Sequence, residues 1–329
     1  MRLWLMRLLL LPAFVLRDLL RRLRGTGQAA VPLWQEPYRG GPVALVALYQ
    51  DGRPRADTLG LILALRRQGA YVISVNAGSL ASGGVRLPVD CYVERRNFGR
   101  DFGSYRCGIH LVRRIAPDLE RLVLINDSVF CVSSGLDGFV RRLLESPSDI
   151  CSATESTELR PHQTSFCLSF SGRCVRDPRF RRFWERYRPT ELRPATVILG
   201  EIALSRQLER AGFTRETIAS CDVIRQRVAE RPELAAAPDP AQGPEMAAEW
   251  CVAGNVTHRA PAALLELGVP LLKLDLAERA ELSESYLAGL GASLPEEDRH
   301  AFAEIMAKRT QNLSSPNRLD RLGAQVGLS

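Results

Sequence analysis

Two short stretches hold most of the residues in this 329-residue chain whose types could do chemistry. The first, Arg96–Tyr105, reads RNFGRDFGSY. The second, a little further on, is LVLINDSVF, an apolar run that closes on Asn126, Asp127 and Ser128. In the first, Gly99 and Gly103 permit close backbone approach, and a helix starting near Ser104 would offer free N–H groups to a phosphate. Arg96 and Arg100 add forked donors for phosphate oxygens, and Asn97, Asp101 and Tyr105 complete the stretch. In the second, a carboxylate at the end of a buried strand can hold a divalent cation, since Mg2+ needs only one or two protein carboxylates plus substrate phosphates. Such an ion offsets the charge developing on a diphosphate leaving group. Asn126 and Ser128 could orient a ribose or a water. Each stretch also has a plainer account: a glycine-rich helix start with solvated arginines, and Asn-Asp-Ser as the cap of a strand.

Further candidates come later. SDICSATES (Ser148–Ser156) reads as a strand and a polar loop that carry Asp149 and Glu155 towards a sheet edge. His162 opens HQTSFCLSF, where Phe166, Leu168 and Phe170 alternate as in a strand; His162 there either contacts a ligand or satisfies local structure. In VILGEIALSRQLERAGF, Glu201 follows Gly200 at or near the start of a helix running to Arg210, a place where a carboxylate also favours the helix dipole. Lys273 and Lys308 are the only lysines, and Lys273 either meets a phosphate or lies on the surface.

These residues need a scaffold that brings them to one place. VALVALY (Val43–Tyr49), AYVISVNAG, VDCYVER and RLVLIND are short apolar runs, several closed by turn residues. Asp57–Gln68 and Ser104–Ile115 have helical spacing. Strands separated by helices of this length predict an α/β fold, a doubly wound, mostly parallel sheet with helices on both faces. Ligands bind such sheets at the carboxyl ends of the strands, where the Asn97–Tyr105 loop and Asn126–Ser128 both fall. Arg231–Glu249, rich in Ala and Pro, reads as a linker or mobile loop. A helix at about Pro261–Leu267 ends on Gly268, a last helix runs from Glu296 through Lys308, and the tail after Gln311 is expected to be disordered.

Other classes lose support. No G-x-G-x-x-G follows the first strand and no G-x-x-x-x-G-K-[ST] occurs, which removes the main signals for dinucleotide oxidoreductases and P-loop proteins. The net charge of +7 comes almost wholly from arginine; such a bias reads as base composition rather than partner choice. The eight cysteines form no C-x-x-C pair or zinc-spaced cluster, so they read as reduced, packed thiols of a cytosolic protein. At the N-terminus, the uninterrupted apolar run spans only Leu8–Leu16, short of the roughly 20 residues a bilayer requires. Arg17, Arg21 and Arg24 share one helical face opposite a leucine-rich one, which suits a helix lying in a membrane interface or packed on the protein's own body.

In combination, NFGRDFGSYRCG, VLINDSVF, HQTSFCLSF, FRRFW, VILGEIALSRQLERAGF and NVTHRAPAALLELGVPLLKLDLAER resemble, in this order, the rhamnan synthesis protein F family. The resemblance runs from about Val43 to Arg279. It implies a GT-A-like glycosyltransferase that assembles rhamnose-containing surface polysaccharide. By the likeness to inverting GT-A enzymes, Glu201 would take the acceptor hydroxyl's proton, with Asp149 and Glu155 as substitutes and His162 on the acceptor side. The acidic metal site of those enzymes corresponds to Asn126-Asp127-Ser128, which leaves Asp127 as the one ligand for Mg2+ or Mn2+. The implied partners are a nucleotide-sugar donor such as dTDP-rhamnose and a lipid-linked saccharide acceptor at the cytoplasmic face of the cell membrane, with no nucleic acid. The expected organisation is a membrane-surface helix at 1–26, a GT-A-like domain at 40–222, a linker at 231–250, a helical extension at 251–312 and a tail at 313–329. A non-catalytic scaffold in a polysaccharide-assembly complex is the alternative, because the second carboxylate of the metal site is missing.

Overall fold

Val, Leu and Ile crowd the runs just named, and in the computed structural model each run is a strand covered on both faces. The structure describes residues 11–20, 31–236, 243–279 and 282–312. The strands are β1 (Trp34–Gln35), β2 (Val43–Leu48), β3 (Tyr71–Asn76), β4 (Cys91–Glu94), β5 (Arg121–Asn126) and β6 (Val129–Cys131), then β7 (Ile150–Ser156), β8 (His162–Gln163), β9 (Cys167–Ser171), β10 (Arg215–Ala219) and β11 (Leu271–Lys273). Among the described residues, nine of them form one sheet in the order β1-β4-β3-β2-β5-β9-β7-β10, with β8 paired to β7. The run β4-β3-β2-β5 is parallel, as is β7 with β10. This is the doubly wound α/β arrangement that the alternation of strand and helix predicts. One strand, β9, is inserted antiparallel between β5 and β7, which the alternation does not reveal.

Residues 11–20 form helix α1, followed by α2 (Ala56–Arg67), α3 (Arg100–Ile115) and α4 (Leu136–Glu145). Side chains of β2 divide between two cores in strict alternation. Ala44, Val46 and Leu48 pack with Leu61 and Ile62 of α2 and Val140 of α4, whereas Val43, Leu45 and Ala47 pack with Phe102, Tyr105 and Ile109 of α3. Burying one such large apolar side chain contributes about 1.5–3 kcal/mol, so the double cover fixes the sheet and the relative positions of its strand ends. A third core, around Phe130, Leu272, Leu274 and Phe302, seats the antiparallel β6–β11 ribbon, whose register sets Lys273 opposite Val129. The eight cysteines are unbridged.

Several boundaries differ from expectation. α3 starts at Arg100 rather than Ser104, so most of the glycine-rich stretch is helix, not loop. His162–Phe170 is no single strand: β8 and β9 flank a turn, and Phe166 joins the α2 core while Leu168 and Phe170 join the α3 core. Glu201 stands mid-helix, in a π-turn (Val197–Ile202) between Arg193–Thr196 and Ala203–Glu209, so the helix dipole does not account for it. Much of the proposed linker is ordered, with a helix at Pro244–Val252 and Leu234, Ala235 and Ala236 buried.

The N-terminal expectation concerns residues partly outside those described, as does the tail at 313–329. Within α1, Phe14 and Asp18 are buried, and Asp18 Oδ1 accepts from Glu191 N (2.7 Å) and Thr190 Oγ1 (3.2 Å). The opposite side exposes Val15, Leu16, Leu19 and Leu20. One face of this helix therefore docks on the body, as one of the two readings expects, and an apolar face remains exposed. Among the described residues no helix is long and apolar enough to cross a membrane.

Candidate functional site

Because β2, β3, β4 and β5 are parallel, the residues that follow Leu48, Asn76, Glu94 and Asn126 meet on one sheet edge. Asp127 is held there by β2 and its outgoing turn. Its backbone N–H donates to Ala47 O (3.0 Å), and its Oδ2 accepts from Tyr49 N (2.9 Å) and Gln50 Nε2 (3.0 Å). Burial pushes the carboxyl up from its ordinary range, against the pull of those N–H groups and of Arg55. Arg55 pins the loop from below, giving Nη1 to Asp127 O (2.8 Å) and Nη2 to Val129 O (2.6 Å) while gripping Asp57. Gln50 is braced in turn by Asn76, whose Nδ2 donates to Gln50 O at 2.8 Å. Gln50 and Arg55 fall in QDGRPR, a segment that reads as a plain turn; its place after the first strand was the available signal.

The start of α3 is built by Arg95, an arginine with no motif signal of its own. Arg95 donates to the carbonyls of Arg96, Phe98 and Arg100 and to Ser104 Oγ. Gly103 makes room for this guanidinium: a Cβ there would lie 2.7 Å from Arg95 Nη2 and 2.4 Å from Phe98 O. Gly99 adopts φ +83° and gives its N–H to Glu191 Oε1 (2.6 Å). Gly99, Gly103, Ser104 and Tyr105 thus shape the site instead of facing it; Tyr105 is fully buried and donates to Ser165 O at 3.0 Å. Arg96, Asn97 and Arg100 are exposed and remain able to meet a ligand.

Asp101, in the first turn of α3, ties the two opening motifs together: its Oδ2 accepts from Asn126 Nδ2 at 2.8 Å. Asn126 Oδ1 accepts from Ser128 N (3.1 Å) and Oγ (2.5 Å). Ser128 Oγ accepts from Lys273 Nζ (2.9 Å), and this ammonium also sits 4.5 Å from the centre of the Phe166 ring. Burial pushes Lys273 down and Asp101 up; Lys273, Asp101 and Glu201 act on one another. The convergence expected from the sequence is therefore real.

Glu201 and His162 meet on the same edge. Glu201 Oε2 lies 3.2 Å from His162 Nε2, and its Oε1 accepts from Ser165 Oγ at 2.8 Å. His162 Nδ1 donates to Arg160 O at 2.7 Å, so a second donor at Nε2 requires the imidazolium form. Burial opposes that charge, but Glu201 and the Arg160 carbonyl outweigh it and the pKa moves up. The carboxylate remains about 20% exposed, open to one partner from outside.

One acidic candidate, Asp149, goes elsewhere. Asp149 precedes β7, at the amino end of that strand and so at the far edge of the sheet. It is tied to Arg173, Ser171 and Thr214, and the Arg173 guanidinium holds its carboxyl well below the usual range. Glu155 accepts Cys221 N (2.8 Å) at the start of the helix Cys221–Glu230. Asp149 is structural, which corrects its expected role as a substitute base, whereas Glu155 lies near the carboxyl end of β7 and pairs with Gln163, next to His162. His258, in contrast, lies near Lys273 through Asp275, whose Oδ1 it meets at 2.9 Å.

Asp127 is the one carboxylate of its motif and already accepts two hydrogen bonds; the oxygens of Asn126 and Ser128 are engaged by Ser128 and Lys273. Among the described residues no three His, Cys, Asp or Glu groups come together to hold a metal. These residues form no closed metal cage; both hydrogen bonds to Asp127 fall on Oδ2, and its carboxylate alone would meet an ion that arrives with phosphate oxygens.

No protein-family model matches the chain. It is 34% identical over 111 residues to the "Virulence protein VirA" of Vibrio anguillarum, covering 32% of this chain and 35% of that protein. It is 29% identical over 182 residues to the "Uncharacterized protein y4gN" of Sinorhizobium fredii, covering 52% and 46%. The chain thus spans between a third and a half of the length of these curated relatives. Among solved structures it is similar to a mannosyltransferase from Pyrobaculum calidifontis in complex with GDP-Man and Mn2+, with 16% identity, a TM-score of 0.34 and 94% of this chain and 99% of that chain covered. It is also similar to a cytidylyltransferase from Leptospira borgpetersenii, with 11% identity, a TM-score of 0.29 and 54% and 76% covered.

Proposed function

We propose that the chain is a GT-A-like inverting glycosyltransferase that moves a sugar from a nucleoside-diphosphate donor onto a growing, lipid-linked surface polysaccharide. Rhamnose or a related deoxysugar is the sugar, on the strength of the motif resemblance. The observation that carries the reading is the bond between Asp101 and Asn126, which fastens the start of α3 to the end of β5 beside Glu201. A charged donor then lies along Arg96, Asn97, Arg100 and the Asp127–Ser128 turn. The acceptor oxygen attacks the anomeric carbon while the bond from that carbon to the diphosphate breaks. The hydroxyl proton passes to Glu201, and the bonding pair leaves with the nucleoside diphosphate. His162 and Ser165 aim the Glu201 carboxylate. The exposed leucines of α1 suit the membrane interface where a lipid-linked acceptor resides, at the cytoplasmic face.

The scaffold reading draws on one observation: both oxygens of Glu201 already accept hydrogen bonds, which weakens it as a base. Incubation with a panel of nucleotide sugars decides between them. Slow release of nucleoside diphosphate, accelerated by acceptor lipid and lost in Glu201→Gln, is the expected result; no binding or hydrolysis of any panel member would leave the scaffold.

A further inference from the structure

The edge that carries Asp127 also gathers several cations among its carboxylates: Lys273 stands within electrostatic reach of Asp275, Asp101, Glu201 and Arg193. Arg279 Nη2 donates to Asp275 Oδ2 (2.5 Å) and lies 3.3 Å from His258 Nε2. Asp275 serves His258 as well, so one carboxylate faces two basic groups. Lys273, two residues before it, reaches Ser128 beside Asp127. Arg193, at the start of the short helix that leads into the π-turn of Glu201, lies within electrostatic reach of Arg279, Arg100 and Asp275. Its guanidinium makes no hydrogen bond or ion pair among the described residues, though it is only partly exposed. Like charges held together in a partly dry place repel. An anion with several oxygens removes that cost.

We propose that Lys273, Arg193 and Arg279 form a diphosphate clamp, which supplies from side chains the positive charge that a divalent ion would otherwise bring. The proposal rests on the glycosyltransferase reading and deepens it by assigning the leaving group's counter-charge. Asp275 is a positioning residue in it, since it aims Arg279. The motif position where a metal would sit has one carboxylate, and the cation beside it is the Lys273 ammonium, 2.9 Å from Ser128 Oγ. No bond is made or broken by the clamp; it holds the diphosphate oxygens as the anomeric bond to them opens, and the guanidinium planes suit paired oxygens.

Titration calorimetry of inorganic pyrophosphate into the full chain tests this without needing to know the nucleoside. In EDTA, binding is expected for the parent and about tenfold or more weaker in Arg193→Gln and in Lys273→Met. Arg193→Gln removes no bond among the described residues and relieves repulsion, so its melting temperature should not fall below the parent's, and this variant decides if Lys273→Met folds poorly. Binding that appears only with Mn2+ and is untouched by Arg193→Gln would overturn the clamp. Parallel titrations with UDP, GDP and dTDP separate the two claims. Normal nucleotide binding in both variants sinks the clamp alone, whereas failure of every nucleotide and of pyrophosphate sinks the glycosyltransferase reading with it.

Discussion

The imidazole of His162 and the carboxylate of Glu201 stand 3.2 Å apart at the carboxyl edge of the sheet, with the far nitrogen of His162 committed to the Arg160 carbonyl. The pair is an ion pair by hydrogen-bond logic, because a carbonyl and a carboxylate both accept. This sets up the first two expectations.

Glu201→Gln keeps the size of the side chain and its contact with Ser165 but loses the basic oxygen. Removal of a general base lowers kcat by about 10²–10⁴-fold, with KM for the donor little changed. Loss of donor binding instead of turnover would show that Glu201 serves the donor.

The raised pKa of His162 has a definite sign in stability. Its contribution is complete below the ordinary histidine value of about 6.5 and is lost as pH climbs through the raised folded value. The melting temperature of His162→Gln should therefore fall furthest below the parent's at mildly acid pH, with a cost of about 1–3 kcal/mol there, and the two curves should approach one another at alkaline pH. Parallel curves across the range would contradict the ion pair.

Asp127 carries the opposite consequence for a site residue. Burial lifts its carboxyl, so its favourable share in stability exists below the unfolded value of about 3.9 and disappears above the folded one. At neutral pH the ionised group weakens the fold. Asp127→Asn should melt higher than the parent at pH 7, lose that advantage near pH 3 and turn over nucleotide sugar poorly. Thermal melts at the two pH values, with a turnover assay, read all three.

Gly103→Ala should destabilise the α3 start. The added methyl would meet a backbone oxygen at 2.4 Å and the Arg95 guanidinium at 2.7 Å, and overpacking of this kind costs about 1–3 kcal/mol. Urea melts check it; an unchanged midpoint would mean that Arg95 can retreat freely.

For α1, Leu16→Glu with Leu20→Glu alters two exposed positions, 58% and 45% accessible. Co-sedimentation with anionic vesicles should drop while the melting temperature holds. Vesicle binding that survives both charges would remove α1 from the membrane contact.

Much of this was legible from residue types. Double-faced apolar runs such as VALVAL announce strands covered on both sides, and the carboxyl-end rule then selects Asn126, Asp127 and the residues before α3. The π-turn at Glu201 has no sequence signature, since the extra residue per turn changes neither composition nor spacing enough to see. Asp149 was misplaced because the two ends of a strand look alike in sequence, and it precedes β7 where Ser156 closes it. Arg95 and Arg96 are neighbours of one type, and nothing in their order tells that Arg95 reaches the carbonyls of the loop.

Asp18 holds Glu191 by its backbone, and the Glu191 side chain holds Gly99. Three distant parts of the sequence are thereby geared together within a few bonds. The orientation of α1 and that of the glycine-rich turn beside the candidate site are thus tied through a single glutamate.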